Sequence, residues 1–195
     1  MNGTAEPAAG GRTLVAGIGN IFLGDDGFGV ETVRRLRERA LPPDVELADI
    51  GVRGVHLAYQ LLDGYGTVIL VDAVQRGAAP GTVHLIEVRE ADRAEPGTPV
   101  IDGHRMSPDT VLALLGTLTA GTGQRGPGRV LVVGCEPASV DEGMGLSAPV
   151  EAALDEAVRL VLGLLEAGPE SAVAPGHGTA PAPGGPGLVP QGHEA

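Results

Sequence analysis

Lysine and tryptophan are both absent from this chain of 195 residues, and cysteine occurs once. Each shortage removes a class of chemistry. Without lysine there is no P-loop. The single cysteine, Cys135, excludes an internal disulfide and a multi-thiolate metal site. No apolar run approaches the ~20 residues that a helix needs to cross a bilayer. The N-terminus has no basic segment followed by an apolar one, so no secretory signal is expected. Positive charge is scarce as well: 13 arginines face 25 acids, for a formal net charge of −12 and a pI near 4.7. That balance argues against nucleic acid or an anionic membrane as partner. Arginine as the sole strong base, together with abundant Ala, Gly and Pro, reads as genome composition bias. A cytoplasmic monomer is expected.

What is present points to one α/β domain. The last 28 residues, 168–195, carry 7 Gly and 6 Pro with no apolar periodicity. Such a segment buries too little surface to offset its ordering entropy, so a disordered tail is expected there. Residues 1–11 read as a flexible arm. Roughly 155 residues, 12–167, remain for a single domain with a real core. Short apolar runs at 13–18, 45–50, 67–74, 82–88 and 130–134 predict strands. Val68-Ile69-Leu70-Val71 is continuously apolar, as a central strand covered on both faces requires. Helical spacing is visible at 28–40, with Val30, Val33, Leu36 and Ala40 on one face and a Glu31–Arg35 pair on the other. Shorter patterns lie at 55–62 and from Ser107, a candidate N-cap ahead of Pro108, to residue 118. The last helix is predicted over 149–165. Residues 89–103 and 119–128 read as irregular connections, and there is no internal repeat. Alternating strands and helices predict a doubly wound twisted sheet of about five strands, mostly parallel, with helices on both faces. Ligands of such sheets bind beyond the carboxyl ends of the strands, where strand order reverses.

The most informative stretch is Gly17-Ile18-Gly19-Asn20, which follows the first strand, and the Asp25-Asp26-Gly27 that leads into the first helix. Glycines permit a sharp turn at a strand end. Two adjacent acids at that turn would repel a phosphate and favour a cation. Nor is the dinucleotide fingerprint complete, because Phe22 stands where a third glycine belongs. Asp72 closes the buried run of the third strand, and His104 precedes the helix that starts at Ser107. In a doubly wound sheet the first and third strands are neighbours, so these loops can open on one rim. Two carboxylates and an imidazole form an O/N ligand set for a borderline divalent metal. Plainer readings stand beside that one. Either of Asp25 and Asp26 can cap the helix, Asp72 can be an ordinary loop acid bonded to backbone amides, and His104 alone says little. His56 and His84 read as structural or surface residues, His177 and His193 fall in the tail, and Cys135 reads as a small buried hydrophobe.

At this point the residues resemble a specific family over about 13–167. Gly17-Ile18-Gly19-Asn20 with Asp25-Asp26-Gly27 is similar to the N-terminal signature of the hydrogenase maturation proteases. Val71-Asp72-Ala73 resembles the end of that family's third strand, and Gly103-His104-Arg105-Met106 its histidine loop. Gly134-Cys135-Glu136-Pro137, followed by Gly145-Leu146-Ser147, resembles its C-terminal block. The resemblance implies a twisted sheet flanked by helices and a metal-contacting cluster of Asp26, Asp72 and His104. The first of these is Glu in some relatives. Gly19, Asn20 and Asp25 would be supporting residues, with Asp25 a helix cap or a supporting acid. The implied activity is a single cut that removes the C-terminal extension of a nickel–iron hydrogenase large-subunit precursor. Nickel already inserted in that precursor would be the recognition element. No His-Glu-x-x-His spacing is present, and no tightly held metal of the protein's own is expected. Asp26 or Asp72 would activate water, or the substrate-bound metal would polarise the scissile carbonyl; the sequence leaves both open. The alternative is a non-enzymatic nickel-sensing assembly factor or a flavodoxin-like binding protein.

Overall fold

Five apolar runs pair into one sheet in the computed structural model, which describes residues 11–88, 107–122 and 125–168. The strands are β1 (Thr13–Ile18), β2 (Val45–Gly51), β3 (Thr67–Ala73), β4 (Val83–Val88) and β5 (Arg129–Cys135). Their order is β2-β1-β3-β5-β4. All neighbours run parallel except β4, which lies antiparallel to β5 at the edge. β1 and β3 are adjacent, as expected, and the strand order reverses beside them.

The helices are α1 (Phe28–Leu36), α2 (Gly54–Gln60), α3 (Pro108–Thr122) and α4 (Ala148–Ala167), with short 3₁₀ turns at Gly24–Gly27 and Leu61–Asp63. Period-two alternation divides each central strand between two cores. Leu14, Ala16, Val68 and Leu70 pack with Leu57 of α2 and Leu115 of α3. Val15, Ile69 and Val71 pack with Phe28 and Val33 of α1 and Leu154 of α4 on the opposite face. The doubly wound sheet read from the sequence is the observed one.

Several local expectations need correction. α1 stops at Leu36, four residues short of the predicted end, and Ala40 is exposed. Glu38 N and Arg39 N donate to the carbonyls three residues back, which tightens the last turn, and Pro42 disfavours helix at Leu41. Glu31 pairs with Arg34, not Arg35, because Arg35 reaches across to Asp155 of α4 at 2.9 Å. Thr32 is buried on the core face of α1, its hydroxyl donating to Phe28 O at 2.8 Å. α3 continues to Thr122 through residues read as loop. The expected N-cap at Ser107 is present: its Oγ accepts from Thr110 N at 3.4 Å. The expected irregular segment 89–103, all of 1–11 but Gly11, and all of the tail but Gly168 lie outside the described residues.

Candidate active site

The site grows out of the turn that ends β1. Gly19 N donates to Gly51 O at 3.1 Å, and Gly19 adopts φ 119°, a conformation open to glycine. A Cβ there would overlap the Asp26 carbonyl oxygen and stand 3.5 Å from Asp72 Oδ1. The absent side chain is therefore what lets the two acids share one corner. Asn20 holds the turn twice: its Oδ1 accepts from Phe22 N at 3.0 Å, and its backbone N donates to Asp26 Oδ2 at 2.7 Å. Asp26 and Asp72 line a cleft of about 210 Å³ whose walls include Val52, Gln75, Ser107, Pro137 and Val140. It lies beyond the carboxyl ends of β1 and β3, where this topology places ligand sites.

Asp72 is the more unusual acid. It sits at the end of β3 with 4% of its surface exposed, and its Oδ1 accepts from Ala73 N at 2.9 Å. Burial pushes its pKa well above the usual carboxylate range, and the nearby charges of Asp26 and Asp109 push the same way against that hydrogen bond. A buried acid so shifted is suited to holding or moving a proton.

Asp25 is not a helix cap. The N-cap position of α1 is Gly27, and no side chain caps the helix there. The Asp25 carboxylate, 1% exposed, instead gathers donors from a loop more than a hundred residues away. Its Oδ2 accepts from Ala138 N at 2.7 Å, Ser139 N at 3.2 Å and Ser147 Oγ at 2.9 Å, and its Oδ1 from Ser147 N at 2.6 Å. Burial alone would raise its pKa, but these donors prevail and hold it below the ordinary range. Asp25 thus ties the turn that carries Asp26 to the segment 138–147.

Glu136 plays a comparable part that the sequence did not reveal. Buried at the end of β5, it accepts from Arg76 N at 2.8 Å and Gly77 N at 3.1 Å and so holds the loop that carries Gln75 into the cleft. Burial raises its pKa, but these amides and that of Ala78 outweigh burial and lower it. The signals available were its place at the end of a buried strand, directly before Pro137, and within the Gly134–Pro137 block. His84 Nε2 lies 3.7 Å from its carboxylate, a structural position, whereas His56 is exposed. Cys135 is fully buried, and burial beside the Asp25, Glu136 and Glu156 charges pushes its thiol up to about 12, so it is chemically inert in the folded protein.

The structure thus brings Gly19, Asn20, Asp26 and Asp72 to one corner and places Asp25 behind it. His104 lies outside the described residues. Among the described residues, no group of three or more His, Cys, Asp or Glu is placed to hold a metal ion.

Residues 30–164 match the family model described as hydrogenase maturation protease, a stretch that begins within α1, after the turn that carries Asp25 and Asp26. The chain is 38% identical over 154 residues to the hydrogenase expression/formation protein HupM of Azotobacter chroococcum, covering 78% of this chain and 70% of that one. It is 34% identical over 164 residues to the hydrogenase 2 maturation protease of Escherichia coli, covering 82% and 94%. Among solved structures, the hydrogenase maturating endopeptidase HybD from E. coli superposes with a TM-score of 0.61 at 33% identity, covering 78% of this chain and 90% of that one. With the family model matched over most of the chain and a shared fold, the chain belongs to the hydrogenase maturation proteases and is an endopeptidase of that family.

Proposed function

We propose that this endopeptidase removes the C-terminal extension of a nickel–iron hydrogenase large-subunit precursor in a single cut, and recognises the nickel already inserted in that precursor. The observation that supports this most is the pair Asp26 and Asp72 on one cleft, at the end of the buried run of β3. Two carboxylates attract a divalent cation and leave most of its coordination positions to ligands from a partner. His104, three residues before the cleft residue Ser107, is the proposed third contact. Because the cation arrives with the substrate, the protein needs no tightly held metal of its own. Asp72, whose carboxyl burial pushes well above the ordinary range, is the proposed proton-handling group, and Asp26, oriented by Asn20 N, is the proposed metal contact beside it. The proposed place of action is the cytoplasm; among the described residues no helix is long and apolar enough to cross a membrane.

The nickel dependence is tested by mixing the protein with nickel-loaded and with nickel-free precursor and following the precursor's cleavage by electrophoresis. The expected result is processing of the nickel-loaded form, with the nickel-free form cut at least ~10²-fold more slowly, the scale of losing a positioned electrostatic contact. Equal rates on both forms would rule out nickel as the recognition element.

A further inference from the structure

Two of the cleft's walls come from chain segments far apart in sequence. One runs from Gly19 to Asp26; the other follows β5 and supplies Pro137 and Val140. Hydrogen bonds of two kinds hold the second wall to the first. Backbone bonds join Gly24 N to Gly143 O at 2.9 Å, Gly143 N to Phe22 O at 2.9 Å and Asp25 N to Ser139 O at 3.1 Å. The Asp25 carboxylate adds to them, taking donors from both ends of the 138–147 segment: Ala138 and Ser139 at its start, and Ser147 N and Oγ at its end. Ser147 stands at the N-cap position of α4, yet its hydroxyl serves Asp25 and not the helix.

We propose that Asp25 is a positioning residue for the cleavage reaction, one that closes the Pro137–Val140 wall against the turn bearing Asp26 and so sets the width of the substrate cleft. This rests on the assignment of the cleft as the site of peptide cleavage. Asp25 does not touch substrate; it acts through the neighbouring residue in sequence and through the opposite wall. Both carboxylate oxygens are needed, because the donors approach from two sides. An Asn at this position can keep one set, but its amide nitrogen then faces an N–H on the other side.

The test uses Asp25→Asn, Ser147→Ala and Asp26→Ala in the full chain, with nickel-loaded large-subunit precursor as substrate. Folding is checked by circular dichroism. Folded Asp25→Asn is expected to raise KM about tenfold and lower kcat about tenfold, the scale of a misplaced reacting geometry. Amides 138, 139 and 147 should exchange with solvent much faster, while those of β3 stay protected. Ser147→Ala, which removes one hydroxyl and leaves the amides bonded, is expected to raise KM about two- to fivefold. If Asp25→Asn does not fold, Ser147→Ala decides alone: a raised KM supports the assignment and an unchanged KM overturns it. Folded Asp25→Asn with wild-type KM, and kcat reduced only in proportion to the folded fraction, shows a merely structural acid and overturns it. Asp26→Ala separates the two levels: if it cleaves like wild type, the cleft itself is misassigned, whatever Asp25 does.

Discussion

Replacing Asp72 by Asn is expected to stabilise the protein at neutral pH while reducing peptide cleavage by ~10²–10⁴-fold, the usual contribution of a positioned acid or base. Asp72 is buried and close to Asp26 and Asp109, so its charge is costly where it stands. Asn keeps an acceptor for Ala73 N and carries no charge. Relief of that burden is expected to contribute about 1–2 kcal/mol, or roughly 3–6 °C in Tm for a domain of this size. The pH dependence fixes the cause. The folded-state pKa of Asp72 lies above its unfolded value, so the stability linked to it is full in acid and lost as pH rises through the folded value. The variant's advantage should therefore be near zero at about pH 4, the ordinary carboxylate range, and should grow toward alkaline pH. Thermal melts across that range check it. A variant less stable than wild type at pH 8, or an advantage that does not vary with pH, would show that Asp72 carries no such strain. The expected pH-dependent gain would instead show that stability is given up at this position for activity.

The second large effect concerns Gly29, in the first turn of α1. A Cβ there would overlap the carbonyl oxygens of Val71 and Ile18 and lie 2.8 Å from Ile18 N. All three contacts are backbone, and none can rotate away. Gly29→Ala must lift α1 from β1 and β3 and open the core around Phe28 and Val33. The expected cost is about 4 kcal/mol or more, roughly 8–16 °C in Tm. Gly163 in α4 gives the matched control: it is exposed, with nothing within 4 Å of a built Cβ. There the same change should stabilise by about 0.5–1 kcal/mol through helix propensity and unfolded-state entropy. Denaturant melts of the two variants should move in opposite directions; Gly29→Ala melting like wild type would refute the close approach of helix and sheet.

These two residues also show what the sequence makes legible. The buried run before Asp72 and the glycine-rich turn before Asp26 are local signals, and they locate the sheet's centre and the corner where the acids meet. Strand adjacency follows from topology rules, so β1 beside β3 was readable too. Long-range pairing was not. Asp25 reads as a helix cap because local spacing favours one, whereas its partners lie 113 to 122 positions away. Glu136 looks like an ordinary strand-end acid until the amides of Arg76 and Gly77 are placed around it. The Glu31–Arg35 pairing failed for the same reason, since Asp155 belongs to a helix that the i,i+4 rule does not see. Helix ends misread by a few residues reflect a balance of small local terms. Asp26 and Asp72 on one cleft carry the functional reading, and sequence alone brought them no closer than a shared rim.

The proposed reaction of this acid-lined cleft is one cut near the C-terminus of a hydrogenase large subunit. Its most direct test is the intact mass of nickel-loaded precursor after incubation with the wild-type chain and with Asp26→Ala. The expected spectrum shows a single truncated large subunit and one released C-terminal peptide with the wild type, and only unprocessed precursor with the variant. An unchanged precursor mass with the wild-type chain, several cuts, or equal processing by the variant would contradict the account.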